Sequence, residues 1–140
     1  PVDQESLISN SDFLTLHCPA LTGLYPVINP DSITRMRKGA FLINTADPDL
    51  VDSVALAEAL RSGKLAGAAV DVFDTTPIDP RHPLLTVPNT ILTPHIGGAT
   101  IETVERHSSM IVDDLRLINS GKKPTGLVNS RVWENRRVFS

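Results

Sequence analysis

Ala40-Phe41-Leu42-Ile43-Asn44-Thr45 is a nearly unbroken apolar run, preceded by Gly39 and followed at once by a helical pattern. Such a run is expected of a strand covered on both faces in a parallel sheet. After it, Asp52 stands where an N-cap belongs, and Leu56, Ala59 and Leu60 recur at i, i+3 and i+4. Gly63 occupies the place of a left-handed helix stop. Strand and helix together have the length of a crossover unit.

Working outward, the same grammar recurs. Phe13 to Cys18 is rich in strand formers and is closed by Pro19, which cannot donate to a ladder. Residues 3–10 read as a short helix before it. Asn29-Pro30-Asp31-Ser32 opens a second helix, with Asn as cap and Pro at the first helical position. Ile33 and Met36 share its face, and Gly39 stops it. Downstream, Gly67 to Phe73 is a third strand and Thr90 to Thr93 a fourth. Between them Pro77, Pro80, Pro83 and Pro88 impose irregular chain. From Thr100 to Gly121 a long helix is predicted, its start favoured by Glu102 and Glu105. Ile101, Val104, Ile111, Leu115 and Ile118 keep the spacing of one buried stripe. Strands alternating with helices over short connections imply right-handed crossovers and an α/β fold. About four parallel strands, flanking helices and a long C-terminal helix amount to the second half of a Rossmann-like, doubly wound sheet.

Composition narrows the function classes. The 140 residues are 41% apolar and 21% charged, with a formal charge of −3, as in an ordinary globular domain. Thirteen Lys and Arg against sixteen Asp and Glu, with six aromatic residues in all, leave neither a basic footprint nor stacking platforms for nucleic acid. One Cys and four scattered His give no disulfide and no metal-ligand spacing. No apolar run spans a membrane and no secretory leader is evident, so a cytoplasmic protein with no membrane partner is expected.

Ligands of open parallel sheets lie beyond the carboxyl ends of the strands. The segments to inspect are His17-Cys18-Pro19, Thr45-Ala46-Asp47-Pro48, Asp71 to Pro77, and Thr93-Pro94-His95-Ile96-Gly97-Gly98. His95 is the candidate acid or base: it follows a strand and a proline, and two glycines after it open the backbone to a ligand. The plainer alternative is a strand-end histidine satisfied by a carbonyl. Asp71, a carboxylate in an apolar strand, is costly without a partner and so a candidate binding group. Cys18 reads as a small buried side chain, His82 as a loop residue, His107 as a surface or interface residue, and Asp113-Asp114 with Arg116 as a solvated face.

Taken in order, these blocks carry a resemblance. Ser11-Asp12-Phe13, His17-Cys18-Pro19, Lys38-Gly39-Ala40-Phe41-Leu42-Ile43-Asn44-Thr45-Ala46, Leu50-Val51-Asp52, Leu56-Ala57-Glu58-Ala59-Leu60, Gly63 to Ala68, Asp71-Val72-Phe73 and Thr93-Pro94-His95-Ile96-Gly97-Gly98-Ala99-Thr100 resemble the D-isomer-specific 2-hydroxyacid dehydrogenases over about residues 6–129. Several blocks in register are far more specific than one motif. The resemblance implies an oxidoreductase fragment, the later half of a dinucleotide-binding domain over residues 1–125. A tail over 126–140, lacking helical or alternating period, would pack on a further domain or a partner chain. The G-x-G-x-x-G turn and acidic ribose-binding residue of the family lie upstream of the matched part, and no G-x-G-x-x-G occurs here.

The family's chemistry is hydride transfer between NAD or NADP and a 2-keto or 2-hydroxy acid, its small-molecule substrate. An Arg grips the substrate carboxylate, a His exchanges the proton, and a Glu supports the His. The resemblance implies His95 as the catalytic His. It implies Cys18, Pro19, Thr45, Ala46, Asp71, His95, Gly97 and Gly98 as cofactor-binding, with Asp71 accepting from the nicotinamide carboxamide and a homodimer formed through this domain. Three departures stand out. The Arg position holds Asp47, within Asp47-Pro48-Asp49 where the family has Arg-Gly-Gly. The Glu position holds Thr76, with Asp74 and Asp79 as nearby substitutes. Where the family reads Leu-Thr-Pro after Pro19, this chain has Ala20-Leu21-Thr22, then Tyr25-Pro26, so that loop is expected to sit differently. Repulsion in place of attraction at a carboxylate about 4 Å away is a change of several kcal/mol. The alternative reading is therefore a catalytically impaired relative or a dinucleotide-sensing module. A further one is an enzyme whose substrate lacks a carboxylate and meets Asp47 through a cationic or hydroxyl group.

Overall fold

The computed structural model describes residues 1–20 and 26–136; the departure at Leu21, Thr22 and Tyr25 and the last four residues of the tail lie outside them. The chain divides into two compact units, Pro1–Gly97 and Gly98–Ser140.

The first unit is built on four parallel strands, β1 (Phe13–Leu16), β2 (Ala40–Asn44), β3 (Leu65–Val70) and β4 (Thr90–Leu92), lying side by side in chain order. Helices α1 (Gln4–Asn10), α2 (Pro30–Arg35) and α3 (Ser53–Arg61) accompany them. Each strand is shorter at its carboxyl end than its sequence run: Cys18, Thr45, Phe73 and Thr93 all lie beyond the ladders. Two 3₁₀ turns, Pro48–Leu50 and Pro83–Thr86, also occur, the second ordering part of the proline-rich stretch that reads as wholly irregular.

The helix starts follow their signals, but α2 ends at Arg35, so Met36 lies just past it and Gly39 is not its stop. Asn29 and Ser32 form a reciprocal capping box at α2, with Pro30 at its first position. Asp52 Oδ1 accepts from the amides of Val54 and Ala55 at α3, and Gly63 turns with φ +69°. Lys64 Nζ donates to the carbonyls of Thr34 and Met36, placing a cation at the carboxyl end of α2.

A strictly sequential strand order with right-handed crossovers puts every connection on the same face of the sheet. That face is the core: Leu14, Leu42 and Ala68 align in register, and Leu56, Ala59 and Leu60 of α3 are buried with them. Among the described residues of this unit nothing covers the opposite face, which corrects the expectation drawn from the apolar run. Phe13 and Ile91 are each 68% exposed and Phe41 is 38% exposed. Apolar composition reported that β2 needs two covers; it did not report that both are present. Phe13 and Phe41 stack at 5.0 Å, and the Phe41 ring lies over Gly67, where a Cβ would meet it at 3.0 Å.

In the second unit, α4 runs from Ile101 to Asn119, capped by Thr100, and Gly121 lies beyond it at φ +73°. Its stripe is apolar but not buried: Ile101, Val104, Ile111, Leu115 and Ile118 are all at least half exposed. Periodicity marks a face that wants a partner, and among the described residues none covers this one. The tail holds a short helix, α5 (Ser130–Glu134), where sequence showed no period. Asp114 is not part of a solvated face: its carboxylate accepts from Thr125 N, Thr125 Oγ1 and Gly126 N at 2.7, 2.9 and 3.2 Å. These bonds hold its carboxyl below the usual pKa. Asp113 and Arg116 do form an exposed ion pair. No helix among the described residues is long and apolar enough to cross a membrane.

Candidate functional site

The four strands stop together. Leu16 pairs with Asn44, Asn44 with Val70, and Val70 with Leu92, so His17, Thr45, Asp71 and Thr93 begin four adjacent exits along one edge. Backbone bonds carry the alignment one step further, Asp71 N donating to Asn44 O and Thr93 N to Val70 O.

At the β2 exit the organiser is Asn44, a buried polar residue ending an apolar strand. Its Nδ2 donates to Asp47 O at 2.8 Å, while its Oδ1 accepts from Ala46 N and Asp47 N. One side chain thus folds Thr45 and Ala46 into a fixed bend at the sheet edge. Sequence reasoning passed over Asn44, although a polar residue closing an apolar run is the available signal. Asp47 caps the following 3₁₀ turn, its Oδ1 accepting from Asp49 N at 3.0 Å.

At the β3 and β4 exits Asp71 dominates. It is 5% exposed, and it has three protein donors. Oδ1 accepts from Thr93 Oγ1 and from Ile96 N at 2.9 Å, and Oδ2 from Gly97 N at 2.8 Å. Burial alone would push its carboxyl up. The bonds from Thr93, Ile96 and Gly97, with the charge of His95, outweigh burial and hold it below the usual carboxylate value. An ionised carboxylate offers about four acceptor sites, so a fourth donor can still be accommodated. The sequence marked Asp71 as needing a partner but did not reveal Thr93 as one.

His95 lies within the turn that Asp71 holds, with φ +57°. A left-handed backbone is uncommon outside glycine, and His is among the residues that tolerate it best. Here it is fixed by Asp71 accepting from Thr93, two residues before, and from Ile96, the next residue, and by His95 N donating to Thr93 O at 3.0 Å. The imidazole is exposed and lines a pocket of about 310 Å³, which Thr76 also lines. The histidine and the residue at the family's Glu position therefore meet in one cavity. Asp74 and Asp79 are not in its wall: Asp79 pairs with Arg81 at 2.9 Å, and Asp74 borders a different hollow beside His82 and Pro83.

The remaining candidates are placed as follows. Cys18 is exposed, not buried, because β1 is an outer strand that ends two residues earlier. Pro19 is exposed beside it, and Thr15 Oγ1 lies 2.9 Å from His17 Nε2. Gly97 approaches Asp71 so closely that an added Cβ would stand 2.9 Å from Oδ2. Gly98 opens the second unit. His82 Nδ1 accepts from Leu84 N and its ring meets Phe73 edge-on at 5.2 Å, while His107 is exposed on α4.

The donor set fits the nicotinamide end of a dinucleotide. A carboxylate with spare acceptor capacity, a bend of small residues and a glycine-bordered histidine stand on adjacent strand exits. A cofactor held there would supply a hydride or take one up.

Comparison with known proteins gives concordant findings. The sequence model described as D-isomer specific 2-hydroxyacid dehydrogenase, NAD binding domain, matches residues 1–97. A glyoxylate reductase of Thermofilum pendens is 40% identical over 134 residues, covering 96% of this chain and 40% of that protein. A D-3-phosphoglycerate dehydrogenase of Dictyostelium discoideum is 43% identical over 132 residues, covering 91% and 32% respectively. Among solved structures, the NAD-complexed D-isomer specific 2-hydroxyacid dehydrogenase of Lactobacillus delbrueckii ssp. bulgaricus superimposes with a TM-score of 0.80 at 28% identity, over 91% of this chain and 43% of that one. The chain thus spans about a third to two-fifths of the length of these relatives.

Proposed function

The chain belongs to the D-isomer specific 2-hydroxyacid dehydrogenases through their NAD-binding domain, and from that premise we propose that it forms the nicotinamide side of an NAD-dependent oxidoreductase acting on a 2-keto or 2-hydroxy acid. The observation carrying this reading is the meeting of Asp71 and His95 in one hydrogen-bonded turn at the aligned strand exits.

In this reading Asp71 accepts a bond from the carboxamide with its remaining acceptor capacity. Thr45, Ala46 and Gly97 present backbone to the nicotinamide, and Cys18 with Pro19 borders the adenosine side. His95 gives its proton to the carbonyl oxygen during reduction and recovers it during oxidation. Asp47, engaged as a turn cap, cannot grip a substrate carboxylate, so that task falls to His95 or to groups beyond these residues. Thr76 offers His95 a hydroxyl where the family has a carboxylate.

The matched relatives bear enzyme names, and nothing among them favours an impaired or purely sensing protein. NAD is the ligand of choice; selection against NADP belongs to the ribose end of the cofactor. A cytoplasmic location, and pairing with a second copy or a further domain, go with the same reading; the exposed stripe of α4 supports the pairing. Gel filtration at micromolar concentration tests the self-pairing, a monomer standing against it.

Calorimetric titration with NADH tests the central claim. Saturable binding that Asp71→Ala removes is the expected result. Binding indifferent to Asp71 would remove the assigned role of that carboxylate, and absence of binding would show that this half does not hold the cofactor by itself.

A further inference from the structure

The pocket beside His95 is walled by Phe73, Pro77, Ile78, Leu85, Leu92 and Pro94. Three threonines complete it, and the hydroxyl of Thr93 is already committed to Asp71. His95 is the only titratable side chain among its lining residues, so no Lys, Arg, Asp or Glu stands in the wall. Its volume of about 310 Å³ is at the lower end of the range for small-molecule sites, and such sites are mostly apolar with a few placed polar groups. The wall is also braced, since the rings of Phe73 and His82 meet perpendicular to one another, and His82 itself caps the turn bearing Leu85.

We propose that this pocket receives an apolar substituent of the substrate, making the preferred ligand a 2-keto or 2-hydroxy acid with an aliphatic or aromatic side chain. The inference rests on the NAD-dependent reading of the same site and narrows its substrate class. An acid entering here meets one group able to carry positive charge, His95, and sets its carbonyl or carboxyl oxygen there. What remains of the cavity is hydrocarbon and hydroxyl. A phosphate-bearing substituent finds no cationic group beyond His95, and glyoxylate, whose aldehyde carbon carries only hydrogen beside the carboxylate, leaves the cavity unfilled. Thr76 keeps the wall uncharged at the position where the family has a carboxylate.

The test is methyl NMR of the whole chain titrated separately with 4-methyl-2-oxopentanoate, phenylpyruvate, glyoxylate and 3-phosphoglycerate, with and without NADH. Expected are saturable shifts of the Ile78, Leu85 and Leu92 methyls with the first two acids, at affinities at least tenfold above those for the last two. Leu85→Asp and Ile78→Asp, at an exposed and a half-buried position of the wall, should each weaken those affinities at least tenfold, with thermal melting confirming that the variants are folded. Tighter binding of glyoxylate or 3-phosphoglycerate would overturn the inference. So would shifts confined to Ile91 on the open sheet face, indifference to both variants, or no binding of any acid. NADH binding without apolar-acid binding would overturn this inference alone; apolar-acid binding without NADH binding would leave the pocket and remove the cofactor reading.

Discussion

Asp71 and Asp114 are the same device used twice. Each carboxylate accepts from a threonine hydroxyl and from two backbone amides, one of them a glycine's. Each glycine is pressed so close that a Cβ would stand 2.9 Å from Asp71 Oδ2 at Gly97 and 3.0 Å from Asp114 Oδ2 at Gly126. What differs is burial and cargo. Asp71 is shut away from water and its turn carries a histidine in a left-handed backbone. Asp114 is only half-buried, and its turn, Thr125-Gly126, carries no titratable side chain. A carboxylate clamp therefore announces a fixed turn; only the residue that the turn presents makes it a site.

The largest effect that sharpens this contrast is expected from Asp71→Ala. Leaving three donors without their acceptor should cost about 1–3 kcal/mol in urea denaturation and accelerate amide exchange at Ile96 and Gly97. A loss no larger than that of Asp114→Ala would break the comparison. Next comes Gly97→Ala, which forces the clamp apart by a methyl group and should cost about 1 kcal/mol, with a matching loss of NADH affinity. Acid should act on both clamps. Both carboxyls have folded-state pKa values below the usual one, so each contributes stability that is fully present above about 3.9, the unfolded value. That contribution is lost as pH falls through the lower folded values, and Asp71→Asn and Asp114→Asn should each flatten the acid limb of the stability curve. The smallest effect is expected of Asp114→Ala itself, a drop in melting temperature below that of Asp71→Ala, because water can replace the clamp where it is half-exposed.

Much of the frame was legible in the sequence because caps and stops act locally. Asn29, Asp52 and Thr100 cap their helices, and Gly63 and Gly121 lie past them with positive φ. The four strands and their parallel order follow from the spacing of apolar runs and helices. What the sequence could not convey is where a surface is covered. Leu56 in α3 and Leu115 in α4 belong to the same kind of stripe, yet Leu56 is wholly buried and Leu115 is 59% exposed. Leu56→Ala should accordingly cost about 2–5 kcal/mol, and Leu115→Ala in this chain less than about 0.5 kcal/mol. The site was legible in part: His95 and Asp71 are visible as unusual residues at strand ends. Their joining through Thr93, Ile96 and Gly97 spans more than twenty residues of sequence, a separation that no local pattern encodes.

The left-handed backbone at position 95 also limits which of the twenty amino acids can stand there. Glycine, asparagine and aspartate accept the conformation, but glycine and asparagine carry no titratable proton and aspartate ordinarily releases its own near pH 4. Lysine and tyrosine titrate too high, and β-branched side chains are excluded by shape. Histidine is the remaining side chain that tolerates this backbone, and it brings a ring with both a donor and an acceptor nitrogen. The backbone has thus shortened the list of side chains that position 95 holds without strain.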